Sequence, residues 1–217
     1  MCIVIAHTGC SILLVMISKS TLHKMYIEEK KSANQIAQKL HCSPTKVNYW
    51  LARHVIEKRS ISDSLYIKNN PNGDPYIECK KESNKDWFLY GLGLGLFWGE
   101  GNKVNKNSIR LGNTDPGMIK MFLHFLNHCY KIDECRLRFG LQIFSDVDPQ
   151  VAKDFWVREL RVSESLFQKV VVTPSRSNGT YRNKNQYGVL TIYFSNTKLR
   201  DIIVGAITEL QNSKLPT

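Results

Sequence analysis

The chain has 217 residues, with 30 lysines and arginines against 19 aspartates and glutamates, a formal charge of +11 and a pI of about 9.4. That length holds one large domain or two small ones, and that charge calls for an anionic partner, most simply nucleic acid. Six scattered cysteines without a CxxC pair exclude a disulfide framework and fit reduced thiols in a cytoplasmic, nucleoid-associated protein.

Residues 1–17 are apolar but lack a basic start and are short for a membrane span. Met16 offers an alternative start, so the first fifteen residues are expected to form an extension outside the fold. Ser18 to Arg59 reads as a helix-turn-helix. Leu22, Met25, Tyr26 and Glu29 give a first helix a largely apolar stripe. Ser32 caps a second helix that buries Ile36, Ala37 and Leu40, and His41-Cys42 makes the short turn. Ser43-Pro44 supplies an N-cap and a proline at the first position of a third helix. That helix buries Val47, Trp50 and Leu51 and exposes Thr45, Lys46, Asn48, Tyr49, Ala52 and Arg53. Asn48 suits adenine, and Lys46, Tyr49 and Arg53 suit bases or phosphates in a major groove. The segment resembles the small helix-turn-helix of resolvases and of many bacterial regulators. Residues 60–85, with the turn-rich stretch Asn69 to Pro75, read as a connector between two domains.

The domain expected at 86–217 opens on Tyr90-Gly-Leu-Gly-Leu-Gly-Leu-Phe-Trp-Gly-Glu-Gly-Asn102. Gly91, Gly95 and Gly99 recur every four residues and make one smooth stripe on a helix. Each costs roughly 1 kcal/mol of helix propensity against alanine, a cost that close approach of another backbone would offset. A dinucleotide fingerprint at Gly91 to Gly95 needs a helix that begins at the glycines, whereas the apolar run continues past them to Trp98.

Residues Gly93 to Gly101 resemble the nine-residue signature of LAGLIDADG homing endonucleases, through Gly95, Leu96, Gly99, Glu100 and Gly101. Gly93 stands where the signature opens on leucine, and Trp98 stands at its first acid. The resemblance implies that two such helices pack at a two-fold interface built on Gly91, Gly95, Leu96 and Gly99. It also implies that Glu100, with Gly101 beside it, binds the divalent metal that cuts DNA. One motif per chain then implies a homodimer with one acid for each strand, using Mg2+ to stabilise charge and activate water.

Three similar phrases follow the motif. Ile109 to Pro116, Leu141 to Pro149 and Thr191 to Leu199 each read as a strand that ends at a polar helix cap, with Asp115-Pro116 and Asp148-Pro149 the clearest. The strand at 188–195 is expected to pair with 170–173. This α+β order suits the fold that the resemblance implies, a saddle-shaped antiparallel sheet backed by helices. The family contacts DNA from the face of that sheet. Candidates there are Lys103, Lys106 and Arg110, then Arg136, Arg138 and Gln142 on the next strand, then Lys169 and Arg176, with Arg182 and Lys184 in a loop. His124, His128, Cys129 and Cys135 are poorly spaced for structural zinc, and the histidines read as the wet side of a helix burying Met121, Phe122, Phe125, Leu126 and Cys129.

Three functions share these features. One is a sequence-specific, double-stranded DNA endonuclease; another is a transcriptional regulator that keeps the scaffold without cleavage. An RNA-binding protein such as a splicing maturase also fits the basic surface.

Overall fold

The structure is a computed structural model that describes residues 16–174 and 186–213. The chain divides into two compact units, Met1–Gly73 and Asp74–Thr217.

In the first unit, Ser18 caps α1 (Lys19–Leu22), which runs on as a π-helical turn at His23–Glu28. A capping box between Ser32 and Gln35 opens α2 (Ala33–Lys39), and Ser43 with Pro44 opens α3 (Pro44–Arg53). His41, at φ 48°, supplies the left-handed residue of the turn between them. Leu22, Tyr26, Ile36, Ala37, Val47 and Leu51 form the core, joined by Ile17 and Ile56. Ile17 therefore belongs to this folded unit and not to the apolar extension expected at 1–17; its carbonyl lies 2.8 Å from His54 Nε2. The first fifteen residues lie outside the described residues.

Trp50 is only half-buried, against expectation. It sits at the edge of the Val47 and Leu51 face, its ring stacked on His54 and meeting the edge of Tyr49. The end of α3 folds back, with Ile56 N–H donating to Leu51 at 2.9 Å and Val55 N–H to Ala52 at 3.1 Å. This Schellman turn puts Val55, a β-branched residue, at φ 55° where glycine is usual. Within the span read as a connector, Ser60 caps α4 (Ile61–Asn69), a helix with no buried residue.

The second unit starts with a strap. Asp133 N–H donates to Pro75, Ile77 N–H to Tyr130 and Cys79 N–H to Cys129, each at 2.8 Å. The strap thus lies along the end of α6 (Pro116–Tyr130). A capping box between Ser83 and Asp86 opens α5 (Asn84–Glu100), so the motif glycines lie inside a helix. Its inward face is Leu89, Gly93, Leu94 and Phe97. Gly93 meets the ring of Phe125 so closely that a Cβ there would fall 2.1 Å from the ring. Phe97 stacks on Phe122 with ring centres 5.9 Å apart.

The remaining elements are β1 (Ile109–Asn113), β2 (Leu137–Phe144), α7 (Pro149–Leu160), β3 (Val171–Thr173), β4 (Val189–Phe194) and α8 (Thr197–Asn212). Asp115 and Asp148 cap α6 and α7, each followed by proline, as their positions predict. The sheet order is β1-β4-β2-β3. β4 runs antiparallel to both β1 and β2, whereas β3 runs parallel to β2. The sheet is therefore mixed, not antiparallel throughout, and 170–173 pairs with β2 and not with β4. The cause is α7, a crossover that returns the chain in the direction of β2. Both edges of β4 are meanwhile taken by β1 and β2. Alternation places Ile109, Leu111, Leu137, Phe139, Leu141, Ile143, Leu190, Ile192 and Phe194 on one buried face under the helices. Arg136 lies on a 3-10 turn before β2, not on the strand, and Met121 is exposed at the border of the apolar face of α6.

Asp86 ties the start of α5 to α6 through His128 Nε2, 2.7 Å from its carboxylate. The His128 contact, then bonds from Ser83, hold the Asp86 carboxyl well below the usual carboxylate range. Its stabilisation is present at neutral pH and is lost as pH falls below the ordinary carboxylate pKa of about 4 toward the lower folded value. Asp86→Asn should therefore flatten the acid side of a plot of Tm against pH, leaving the neutral and alkaline sides parallel to wild type. A second expectation concerns the glycines. Gly93→Ala should cost about 1–3 kcal/mol by overpacking against Phe125, while Gly91→Ala, which meets open space, should gain up to about 1 kcal/mol in the dilute monomer. Urea unfolding of both variants measures this.

Candidate nucleic-acid interface

Burial of Val47 and Leu51 turns the opposite side of α3 outward. Thr45, Tyr49 and Arg53 are exposed there, with Lys46 and Asn48 half-buried beside them. Three of the five expected side chains thus lie fully open on one side of the helix, while Lys46 and Asn48, expected to be exposed, flank the buried Val47 and are partly covered.

On the sheet of the second unit, the face opposite the core is not covered by any helix or strand among the described residues, and Arg138, Gln142 and Val171 are exposed on it. The strand register aligns Arg110 with Tyr193 and Tyr193 with Arg138, so these three form one row across β1, β4 and β2. The next row is Gly112, Thr191 and Gly140, and the row after it contains Val189, Gln142 and Val171. Arg110, Arg138 and Gln142 therefore share the face opposite the core. Two glycines make it shallow: a Cβ at Gly112 would lie 2.8 Å from Thr191 Oγ1, and one at Gly140 would lie 2.8 Å from the Tyr193 ring. Lys103 and Lys106 are exposed in the loop between α5 and β1, and Lys169 is exposed before β3. Arg176, Arg182 and Lys184 lie outside the described residues.

The outward face of α5 carries Gly91, Gly95 and Gly99. All three are exposed, and a Cβ at any of them would meet nothing within 4 Å. Large apolar side chains flank them, with Phe88 70% and Trp98 45% exposed. Leu96 is half-buried against the unit's own core. Glu100 ends the helix exposed, with no hydrogen bond or ion pair among the described residues. Its place at the carbonyl end of a 17-residue helix adds the dipole's negative potential to its own charge.

Gly101 is buried and pairs with Leu111 as an isolated β-bridge, and Asn102 N–H donates to Arg110 at 2.8 Å. A Cβ at Gly101 would fall 2.4 Å from the Phe97 ring. Glycine is thus required where the helix turns into the sheet. Lys103 Nζ donates back to the Trp98 carbonyl, and Arg200 Nη2 donates to the Lys103 carbonyl.

Sequence reasoning missed Tyr193 and Arg200. Alternation along Thr191-Ile-Tyr-Phe194 is a signal that would have put Tyr193 on the open face. Nothing local marks Arg200, because its contact spans 97 residues of chain.

Among the described residues no three His, Cys, Asp or Glu side chains converge as metal ligands. His128 pairs with Asp86, and burial pushes the Cys129 thiol up to about 11. Nor is any described helix long and apolar enough to cross a membrane. No family model, curated protein or solved structure matches the chain.

Proposed function

We propose that this chain is a sequence-specific, double-stranded DNA-binding protein that dimerises through α5 and hydrolyses DNA with Glu100 of each copy, as its motif's resemblance to LAGLIDADG endonucleases implies. The observation that carries this reading is the outward face of α5. Three glycines lie open beside Phe88 and Trp98, and the helix ends in an acid with no hydrogen bond or ion pair among the described residues. The chain carries three helix-weakening residues, roughly 1 kcal/mol each, with nothing packed on them among the described residues. A second copy docked on that stripe would supply close backbone contact and bring two Glu100 carboxylates together.

A single chain offers one carboxylate at this point, which does not by itself make a metal centre. Magnesium is held by one or two protein carboxylates, with water and phosphate oxygens completing its shell. The pair of Glu100 side chains, with the Gly101 backbone beside them, therefore fits Mg2+ only as a shared site. Bound there, the ion would stabilise charge on the phosphate and lower the pKa of its water. The chain's own contribution is position: Lys103 caps the end of α5, and the Gly101 bridge to Leu111 fixes where the helix stops relative to the sheet. The open sheet face and α3 would hold the duplex, with Lys106 and Lys169 as further cations.

A second reading, a regulator that binds without cutting, is favoured by Gly93 at the motif's opening leucine and Trp98 at its first acid. Activity separates the two. With Mg2+ and a randomised duplex library, wild type should bind and cut, and Glu100→Gln should bind equally and cut nothing. Equal cleavage by both would overturn the assignment, and tighter binding of structured RNA would favour an RNA role. Gly95→Leu should sediment as a monomer and lose cleavage, whereas a wild type that stays monomeric on DNA would overturn the paired arrangement. Binding should also weaken steeply with salt if several phosphates are contacted.

A further inference from the structure

Arg110 is held unlike Arg138, its neighbour on the sheet face. Its Nε donates to Ser108 Oγ at 2.8 Å, and the buried Ser108 hydroxyl donates in turn to Asn105 Oδ1 at 3.0 Å. The guanidinium carbon lies 5.3 Å from the centre of the Tyr193 ring. That ring is itself fixed, lying over Gly140. The Nε edge of the guanidinium is therefore held by the protein, and the Tyr193 ring lies beside the group. Nη1 and Nη2 have no partner among the described residues. Arg138, in the same row, instead turns Nη1 to the carbonyls of Cys135 and Leu137, at 2.8 and 2.6 Å.

A guanidinium held this way presents two parallel N–H donors with little rotamer freedom left to lose. In the major groove that fork matches guanine, whose N7 and O6 are both acceptors, and mismatches adenine, whose N6 is a donor. We propose that Arg110 is a specificity-determining residue that reads one guanine per half-site, with Ser108 and Tyr193 as its positioning residues. The inference rests on the sheet face being the DNA-binding surface. Arg110 is tied through its own carbonyl to Asn102, two residues beyond Glu100. In the paired assembly the two guanines would thus be related by the dimer's symmetry and would lie nearer the site's centre than the base facing Gln142.

The test uses the full chain and a randomised duplex DNA library. Wild type should select guanine at one symmetric pair of positions. Replacing those guanines by 7-deazaguanine, which lacks the N7 acceptor, should weaken wild-type binding roughly tenfold or more. Arg110→Lys keeps the charge and loses the fork, so it should bind with little base preference there and ignore the deaza substitution. Ser108→Ala should lower the same preference in part. A wild type indifferent to 7-deazaguanine overturns the proposal without needing any variant. Uniform weakening of all sequences by Arg110→Lys, with the guanine preference intact, makes Arg110 a phosphate contact and also overturns it. Absence of any duplex binding would instead remove the DNA-binding reading itself, and this inference with it.

Discussion

Contact between Gly93 and the ring of Phe125 sets the rotational phase of α5, and the rest of the second unit's surface follows from that phase. A helix turns about 100° per residue, so fixing residue 93 inward brings Leu89 and Phe97 inward with it and sends Gly91, Gly95 and Gly99 outward. The residue that departs from the motif's opening leucine is thus the one that seats the helix: a larger side chain would collide with Phe125. The inner glycine answers a need of the monomer. The outer three answer none among the described residues, and under the proposed function a second copy would be their partner.

Connectivity makes the sheet one-sided. β1 and β2 run in the same direction with β4 inserted between them, and α6 crosses from one to the other over the buried face. α7 makes a second crossover to β3. Helices therefore cover the face that carries the alternating aliphatic and aromatic residues. The other face is left with Arg110, Tyr193, Arg138, Thr191 and Gln142, and two glycines keep it low. Of the cations expected there from the sequence, Arg110 and Arg138 share this face because strand alternation assigns them to one side, whereas Lys103, Lys106 and Lys169 lie in the connections beside it.

What could be read in the sequence was what local physics decides. Ser32, Ser43-Pro44, Asp115-Pro116 and Asp148-Pro149 mark helix starts because a cap needs only its own next three residues. The helical placement of the motif glycines followed from the apolar run beyond them. Strand partners did not follow, since pairing depends on which edges other segments have already occupied; hence the misassigned partner of 170–173. Trp50 and Met121 were placed inside because each borders an apolar stripe, where a single step around the helix decides exposure. The tether from Arg200 to Lys103, and the reason for Gly93, became visible only with distant residues in place.

Phe97 roofs Gly101 and stacks on Phe122, so the last turn of α5 is registered against the aromatic interior rather than by contacts of its own acid. Under the proposed function, alignment of the scissile bond would be inherited from that interior. Shifts of about 1 Å in a reacting group can cost on the order of a hundredfold in rate. Drift among the buried rings would then surface first as lost turnover in a protein that still folds.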